Sequence, residues 1–185
     1  MTNRETFIAL CQPIAARTGF ANLMTWLENS DFFTAPASTK YHGAYEGGLA
    51  EHSINVYCEL KRLCTIYPEI EIAEDRLAVV ALIHDLCKVN MYTKEMRYRK
   101  DEQGKWEQYE AYTHNEKLHY GGHGSKSVFI LQNFIKLTPE EAVAINCHMG
   151  TCDGENNVIA SAWEHCSLAW LLHVADESAT FICNT

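Results

Sequence analysis

The residues best suited to do chemistry in this chain are five separated appearances of imidazole and carboxylate: His52, the dipeptide His84-Asp85, His123, His148 and Asp176. An aspartate that follows the apolar run Ala81-Leu82-Ile83 is costly to bury unless it is paired or binds a metal. A divalent cation removes that cost, because imidazole and carboxylate together suit zinc, manganese, iron or nickel. Lys88 follows His84 by four residues and Asp85 by three, which on a helix puts all three on adjoining surface. An ammonium beside a metal site calls for an anionic ligand between them, and a phosphate is such a ligand. A single histidine is more often a satisfied core or surface residue. That reading applies to His114, His119 and His165, while His173, three residues before Asp176, is a rival for a ligand position.

Composition narrows the field. At 185 residues, 47% hydrophobic and 21% charged, the chain is expected to form one globular domain. No apolar run approaches the roughly 20 residues that span a bilayer. The N-terminus lacks a basic-then-apolar leader, so a cytoplasmic location is expected. The eight cysteines include no Cys-x-x-Cys pair, which fits a reducing compartment. Cys58, Cys64, Cys87 and Cys166 sit in apolar-periodic stretches and read as small hydrophobes. Cys147 and Cys152 flank His148, but their spacing is not that of a structural zinc site. A net charge of −9 disfavours extended nucleic acid as a partner. A small phosphorylated ligand is compatible with it, because a bound metal supplies local positive charge.

The elements that must position these residues are mostly helical. Apolar spacing predicts helices over 5–17, with Pro13 as a break, and over 21–28, 49–66, 72–89, 121–135, 139–148 and 161–179. Residues 30–40 read as a loop. Gly47-Gly48 reads as a tight turn just before His52, and Thr138-Pro139-Glu140-Glu141 as a capping box. Residues 92–112 alternate aromatic or apolar with charged side chains around Asp101-Glu102-Gln103-Gly104, which predicts a β-hairpin. That hairpin is either a solvated surface feature or a flap, with its aromatics stacking on a base and Arg97 and Arg99 meeting phosphate. The expected class is all-α, a helical bundle with a β-hairpin insertion near 92–112. Such a bundle can aim ligands from several helices at one core site.

The order His, His-Asp, His, His, Asp resembles the HD-domain phosphohydrolases, in the branch whose two additional histidines bind a second metal. Gly47-Gly48-Leu49-Ala50-Glu51-His52-Ser53 resembles the first histidine motif, and Ile83-His84-Asp85-Leu86-Cys87-Lys88 the His-Asp motif with its trailing lysine. Gly122-His123-Gly124 and His148-Met149-Gly150 match the intermediate histidines, and Leu172-His173-Val174-Ala175-Asp176 the closing motif. The stretch from Tyr41-His42 to His52 is most similar to the HD domain of bacterial 3′–5′ exoribonucleases. The chain has only short helices where that family carries an OB-fold, and it lacks the Gly-Tyr-Pro motif of the cyclic-di-GMP branch. Both substrates are therefore disfavoured.

The resemblance implies a single HD domain over 1–185, with helices and a loop over 1–40 and the metal-site core over 41–180. It implies one or two divalent ions per chain, drawn from manganese, iron, nickel, cobalt, zinc or magnesium. His52, His84, Asp85 and Asp176 would hold one ion, and Asp85 would bridge to a second held by His123 and His148. A water between them would fall from a pKa of about 15.7 towards 7, and the hydroxide would attack phosphorus in line. Asp85 and Lys88 are the catalytic candidates, and His42, Lys88, Arg97 and Arg99 the substrate-binding ones. The activity expected is hydrolysis of a phosphate ester of a nucleotide or related small compound. The alternatives are a phosphodiesterase or 3′–5′ exonuclease on short oligonucleotides, a di-iron oxygenase, and a non-catalytic nucleotide or metal sensor.

Overall fold

The computed structural model describes residues 1–115, 117 and 121–183, and His119 lies outside them. In chain order the elements are α1 (Asn3–Leu10), α2 (Phe20–Glu28), α3 (Gly48–Ile66), α4 (Glu74–Leu82), β1 (Tyr92–Lys100), β2 (Trp106–His114), α5 (His123–Leu131), α6 (Pro139–Cys147), α7 (Asn156–His165) and α8 (Ser167–Ser178). The class is all-α with a β-hairpin insertion, as the periodicities predict. Among the described residues, no helix is long and apolar enough to cross a membrane.

α3 starts where the glycine pair puts it. Gly47 has φ +83°, a left-handed conformation that favours glycine. A Cβ on Gly48 would lie 2.1 Å from the Gly43 carbonyl oxygen, so the turn closes only without a side chain there. From this start α3 buries Leu49, Ala50, Val56, Leu60 and Leu63 in one stripe, and His52 and Ser53 lie on the same buried face. It packs against α4 and α8. In α4 every residue from Leu77 to Leu82 is buried, so this is a core helix rather than an amphipathic one. Each of its larger side chains contributes about 1.5–3 kcal/mol by leaving water.

Two predicted helices are shorter than their patterns suggest. The helix read over 72–89 stops at Leu82; Ile83 (φ −130°, ψ 21°) and Asp85 (φ −103°, ψ 27°) leave helical geometry, and Leu86–Lys88 form a 3₁₀ turn. The reason is directional. Consecutive helical residues point about 100° apart, and leaving helical geometry from Ile83 onward brings His84 Nε2 within 3.4 Å of Asp85 Oδ2. The helix read over 161–179 is two helices, broken where Cys166 is extended (φ −138°, ψ 93°). The break lets α7 fold back, stacking Trp163 on His173 at 4.8 Å. In one continuous helix those two rings would be about 15 Å apart. In a smaller shift, α5 ends at Leu131 rather than near Ile135.

One ion-pair cluster fixes the relation of α4 to α6. Arg17 Nη2 lies 2.6 Å from Glu141 Oε1 and 2.7 Å from Asp75 Oδ2. Glu141 is fully buried and also accepts from the Thr138 amide at 2.8 Å, completing the predicted capping box. α4 leads into the His-Asp turn and α6 ends at His148, so the cluster ties together two of the segments that deliver the site.

The hairpin pairs β1 and β2 antiparallel, in a register running from Tyr92↔His114 to Lys100↔Trp106. Its turn follows from Asp101, whose Oδ1 accepts from the amides of Gln103 (2.9 Å) and Lys105 (2.8 Å), and from Gly104 at φ +79°. β1 is exposed from Thr93 to Lys100.

Candidate metal centre

The six ligand positions converge. Asp176 Oδ1 lies 2.9 Å from His52 Nε2 and 3.8 Å from His84 Nε2. Asp85 Oδ2 lies 3.4 Å from His84 Nε2 and 3.8 Å from His52 Nε2, while its Oδ1 lies 3.5 Å from His148 Nε2. Two donors bonded at about 2.1 Å to one ion are separated by about 3.0 Å at right angles and about 3.4 Å in a tetrahedron. The observed separations fall at or slightly beyond that range. His52, His84 and Asp85 form one group of donors that can hold a metal, and His84, His148 and Asp176 a second. Asp85, Cys87 and His123 form a third.

The donors are also left in the state a cation requires. His52, His84, Asp85, His148 and Asp176 are buried. His84 Nδ1 lies 2.9 Å from the Ala81 carbonyl oxygen and His148 Nδ1 2.6 Å from that of Ile145. Donating there fixes the tautomer and turns the Nε2 lone pair inward. Neither Nε2 has a hydrogen-bond partner among the described residues, and the same is true of His123 Nδ1. A buried, unpartnered ring nitrogen is expensive, and three aimed at two carboxylates fit a divalent ion.

Charge agrees with this picture. Burial alone would raise Asp85, but the Lys88 ammonium 2.7 Å from Oδ2, together with His84, holds it well below the usual carboxylate range. Burial would raise Asp176 too, and His52 outweighs it, so that carboxyl also lies far below its ordinary value. Burial pushes His52 and His123 down. For His84 burial is outweighed by Asp85 and Asp176, and its net shift is upward.

The sequence-predicted residues are not all placed alike. His123 stands at the start of α5 and His148 at the end of α6, and a Cβ on Gly124 would lie 2.1 Å from the Asn146 carbonyl oxygen. That close approach of α5 to α6 brings the two histidines towards Asp85. His148 does not separate cleanly into a second-metal set, since it also groups with His84 and Asp176. His173, the rival ligand, has Nδ1 2.7 Å from the His148 carbonyl oxygen and stacks on Trp163. It therefore supports a ligand-bearing segment instead of joining the donor groups. Cys87, read from sequence as a small hydrophobe, has Sγ 3.8 Å from Asp85 Oδ1. Its place directly before Lys88 in the motif was the only sequence signal for this.

A cavity of about 450 Å³ opens onto the donors. Lys88, His123 and Asp176 line its polar side; Ala37, Tyr92, Met149 and Phe181 contribute apolar wall, and His42 and His114 also face it. The His42 ring packs 4.8 Å from the His52 ring. Tyr92 and His114 stack at 5.5 Å at the base of the hairpin. Arg97 and Arg99 are elsewhere. They are exposed, paired with Glu95 and Glu107 at 2.6 Å each, and do not line the cavity. Arg97 and Arg99 stand at odd offsets from Tyr92 along β1, so they project from the opposite face of the strand, Arg97 about 17 Å along it.

The HD domain family model matches residues 49–180. The chain belongs to the HD-domain family. It is similar to a dihydroneopterin 2′,3′-cyclic phosphate phosphodiesterase from Methanocaldococcus jannaschii, 36% identical over 64 residues. The match covers 33% of this chain and 26% of that relative, so the chain spans about a quarter of the relative's length. No solved structure matches the chain.

Proposed function

We propose that this chain is a metal-dependent phosphohydrolase acting on the phosphate ester of a nucleotide or a related small phosphorylated compound. The observation that carries the reading is the meeting of unpartnered imidazole nitrogens, two buried carboxylates and the buried Lys88 ammonium at one cavity. His52, His84, Asp85 and Asp176 would hold one divalent ion, and Asp85, His123 and His148 a second; such ions supply Lewis acidity and an activated water near neutral pH.

The chain's own residues do the rest. Of the three donors on Lys88, one goes to Asp85 Oδ2 at 2.7 Å. The other two are left for a phosphate oxygen or the leaving group. His42 is pushed down to about 4, mainly by burial, so at neutral pH it meets substrate as an uncharged imidazole. The apolar wall formed by Ala37, Tyr92, Met149 and Phe181 suits a flat ring. Core residues from Phe7 to Ala179 belong to one cluster, which supports reading 1–185 as one domain around the 41–180 core.

A second reading is favoured by the relative: cleavage of a phosphodiester, with a cyclic phosphate of a small heterocycle as the first compound to try. Short oligonucleotides belong to the same test. The experiment is a screen of purified protein over nucleotides, cyclic phosphates and short oligonucleotides, with manganese, cobalt, nickel, magnesium and zinc in parallel. Metal-dependent cleavage of at least one small ester is expected. No turnover with any metal overturns hydrolysis in favour of sensing, and oxygen consumption with iron favours oxidation.

A further inference from the structure

We infer that Cys87 is a metal ligand, so that the Asp85–His123–His148 side of the centre binds through sulfur as well as nitrogen and oxygen and takes a soft divalent ion. The inference rests on the metal-centre reading above and adds to it a donor that an all-His/Asp site lacks. Cys87 is buried, with Sγ 3.8 Å from Asp85 Oδ1. The same oxygen lies 3.5 Å from His148 Nε2, which is fully buried and has no hydrogen-bond partner among the described residues. Asp85, Cys87 and His123 have donor atoms within 4.8 Å of one another. An ion with bonds of about 2.1 Å to nitrogen and oxygen and about 2.3 Å to sulfur spans about 3.4 Å between N and O, and about 3.6 Å between O and S, in a tetrahedron. The two observed separations lie within a few tenths of an ångström of those values.

The backbone holds the thiol there. The Cys87 amide donates to Ser127 Oγ at 3.1 Å, and Ser127 lies on α5, the helix that begins with His123. Cys87 and His123 are thus fixed to each other through α5. Binding breaks the S–H bond and forms a sulfur–metal bond, and the proton leaves to solvent. Thiolate with imidazole and carboxylate selects zinc, cobalt or iron over magnesium, which prefers oxygen alone.

The test is X-ray absorption on chelator-stripped full-length protein reloaded with zinc, in parallel with near-ultraviolet spectra of the cobalt form. The wild type should show a sulfur shell at about 2.3 Å and a sulfur-to-cobalt charge-transfer band. Both should vanish in Cys87→Ser while zinc still binds through nitrogen and oxygen. Zinc bound by the wild type with nitrogen and oxygen scatterers only overturns the inference and leaves the His/Asp centre standing. A sulfur shell that persists in C87S also overturns it, because the sulfur then comes from another cysteine. Failure of the wild type to bind zinc or cobalt at all overturns the metal centre itself. If C87S does not fold, Cys147→Ser and Cys152→Ser take its place: both should keep the sulfur shell, and its loss in either overturns the inference.

Discussion

Replacing Lys88 by Met separates two roles that its position allows. Lys88 is 5% exposed as a residue, its ammonium lies 2.7 Å from Asp85 Oδ2, and it lines the cavity. If Lys88 serves only to neutralise Asp85, bound metal can take over that task, and metal-loaded K88M should turn over normally. If it also neutralises substrate phosphate, a loss remains with the metal in place. Two unit charges 4 Å apart at an effective dielectric of about 20 interact by roughly 4 kcal/mol. Asp85 already draws on part of the lysine's field, so about 3–4 kcal/mol is expected, or ~10²–10³ in kcat/KM. Lys88→Arg keeps the charge and should recover part of that loss. Metal affinity should hold or tighten, because Asp85 loses a competing cation. Activity is compared at matched metal content, on the small ester identified by the substrate screen. The metal-free variant is expected to be less stable, since it leaves a buried carboxylate without its partner. Metal-loaded, folded K88M that keeps more than a tenth of wild-type kcat/KM would refute the phosphate role.

Asp85→Ala should lower bound metal more than any other single ligand change, because both its oxygens face donor nitrogens; elemental analysis that finds full metal in D85A removes Asp85 from the site. His123→Ala should keep one ion yet lose most turnover, and full activity would leave a one-metal enzyme. Glu141→Gln should cost about 2–4 kcal/mol, because Arg17 keeps only Asp75, which corresponds to a fall of ~4–16 °C in Tm for a chain of this size; a change under about 1 kcal/mol in urea denaturation would show that the cluster does not hold α4 to α6. Burial holds His42, His52 and His123 below the ordinary imidazole value, so the unfolded chain takes up more protons as pH falls through about 6.5. His84, shifted up, opposes with one group. Metal-free protein should therefore lose stability between pH 7 and 5, and a flat or rising Tm over that window would contradict the sign.

Much of this molecule was legible in the linear sequence, and the reasons are local. Gly47-Gly48, the Thr138–Glu141 capping box and the Asp101–Gly104 turn each encode a start or a reversal through backbone chemistry confined to a few residues. The candidate donor set was legible because buried histidine and aspartate need a reason to be buried, and binding a cation is one reason that all five appearances can share. What sequence could not give was direction. The pattern over 72–89 is helical throughout, yet the helix ends at Leu82, and the turn that follows points His84 and Asp85 more nearly the same way than helical spacing of about 100° would. The pattern over 161–179 is likewise continuous, and only the packing of Trp163 on His173 shows why it folds back at Cys166. Arg97 and Arg99 looked close to the site along the chain; the pairing register of the hairpin sends them to its far face. Cys87 looked like a small hydrophobe beside the motif, and only the folded turn sets its sulfur next to Asp85. Spacing along the chain determined which side chains the protein has for binding a cation. Tertiary packing decided which of them meet, because convergence depends on where helices end and on which neighbour closes against them.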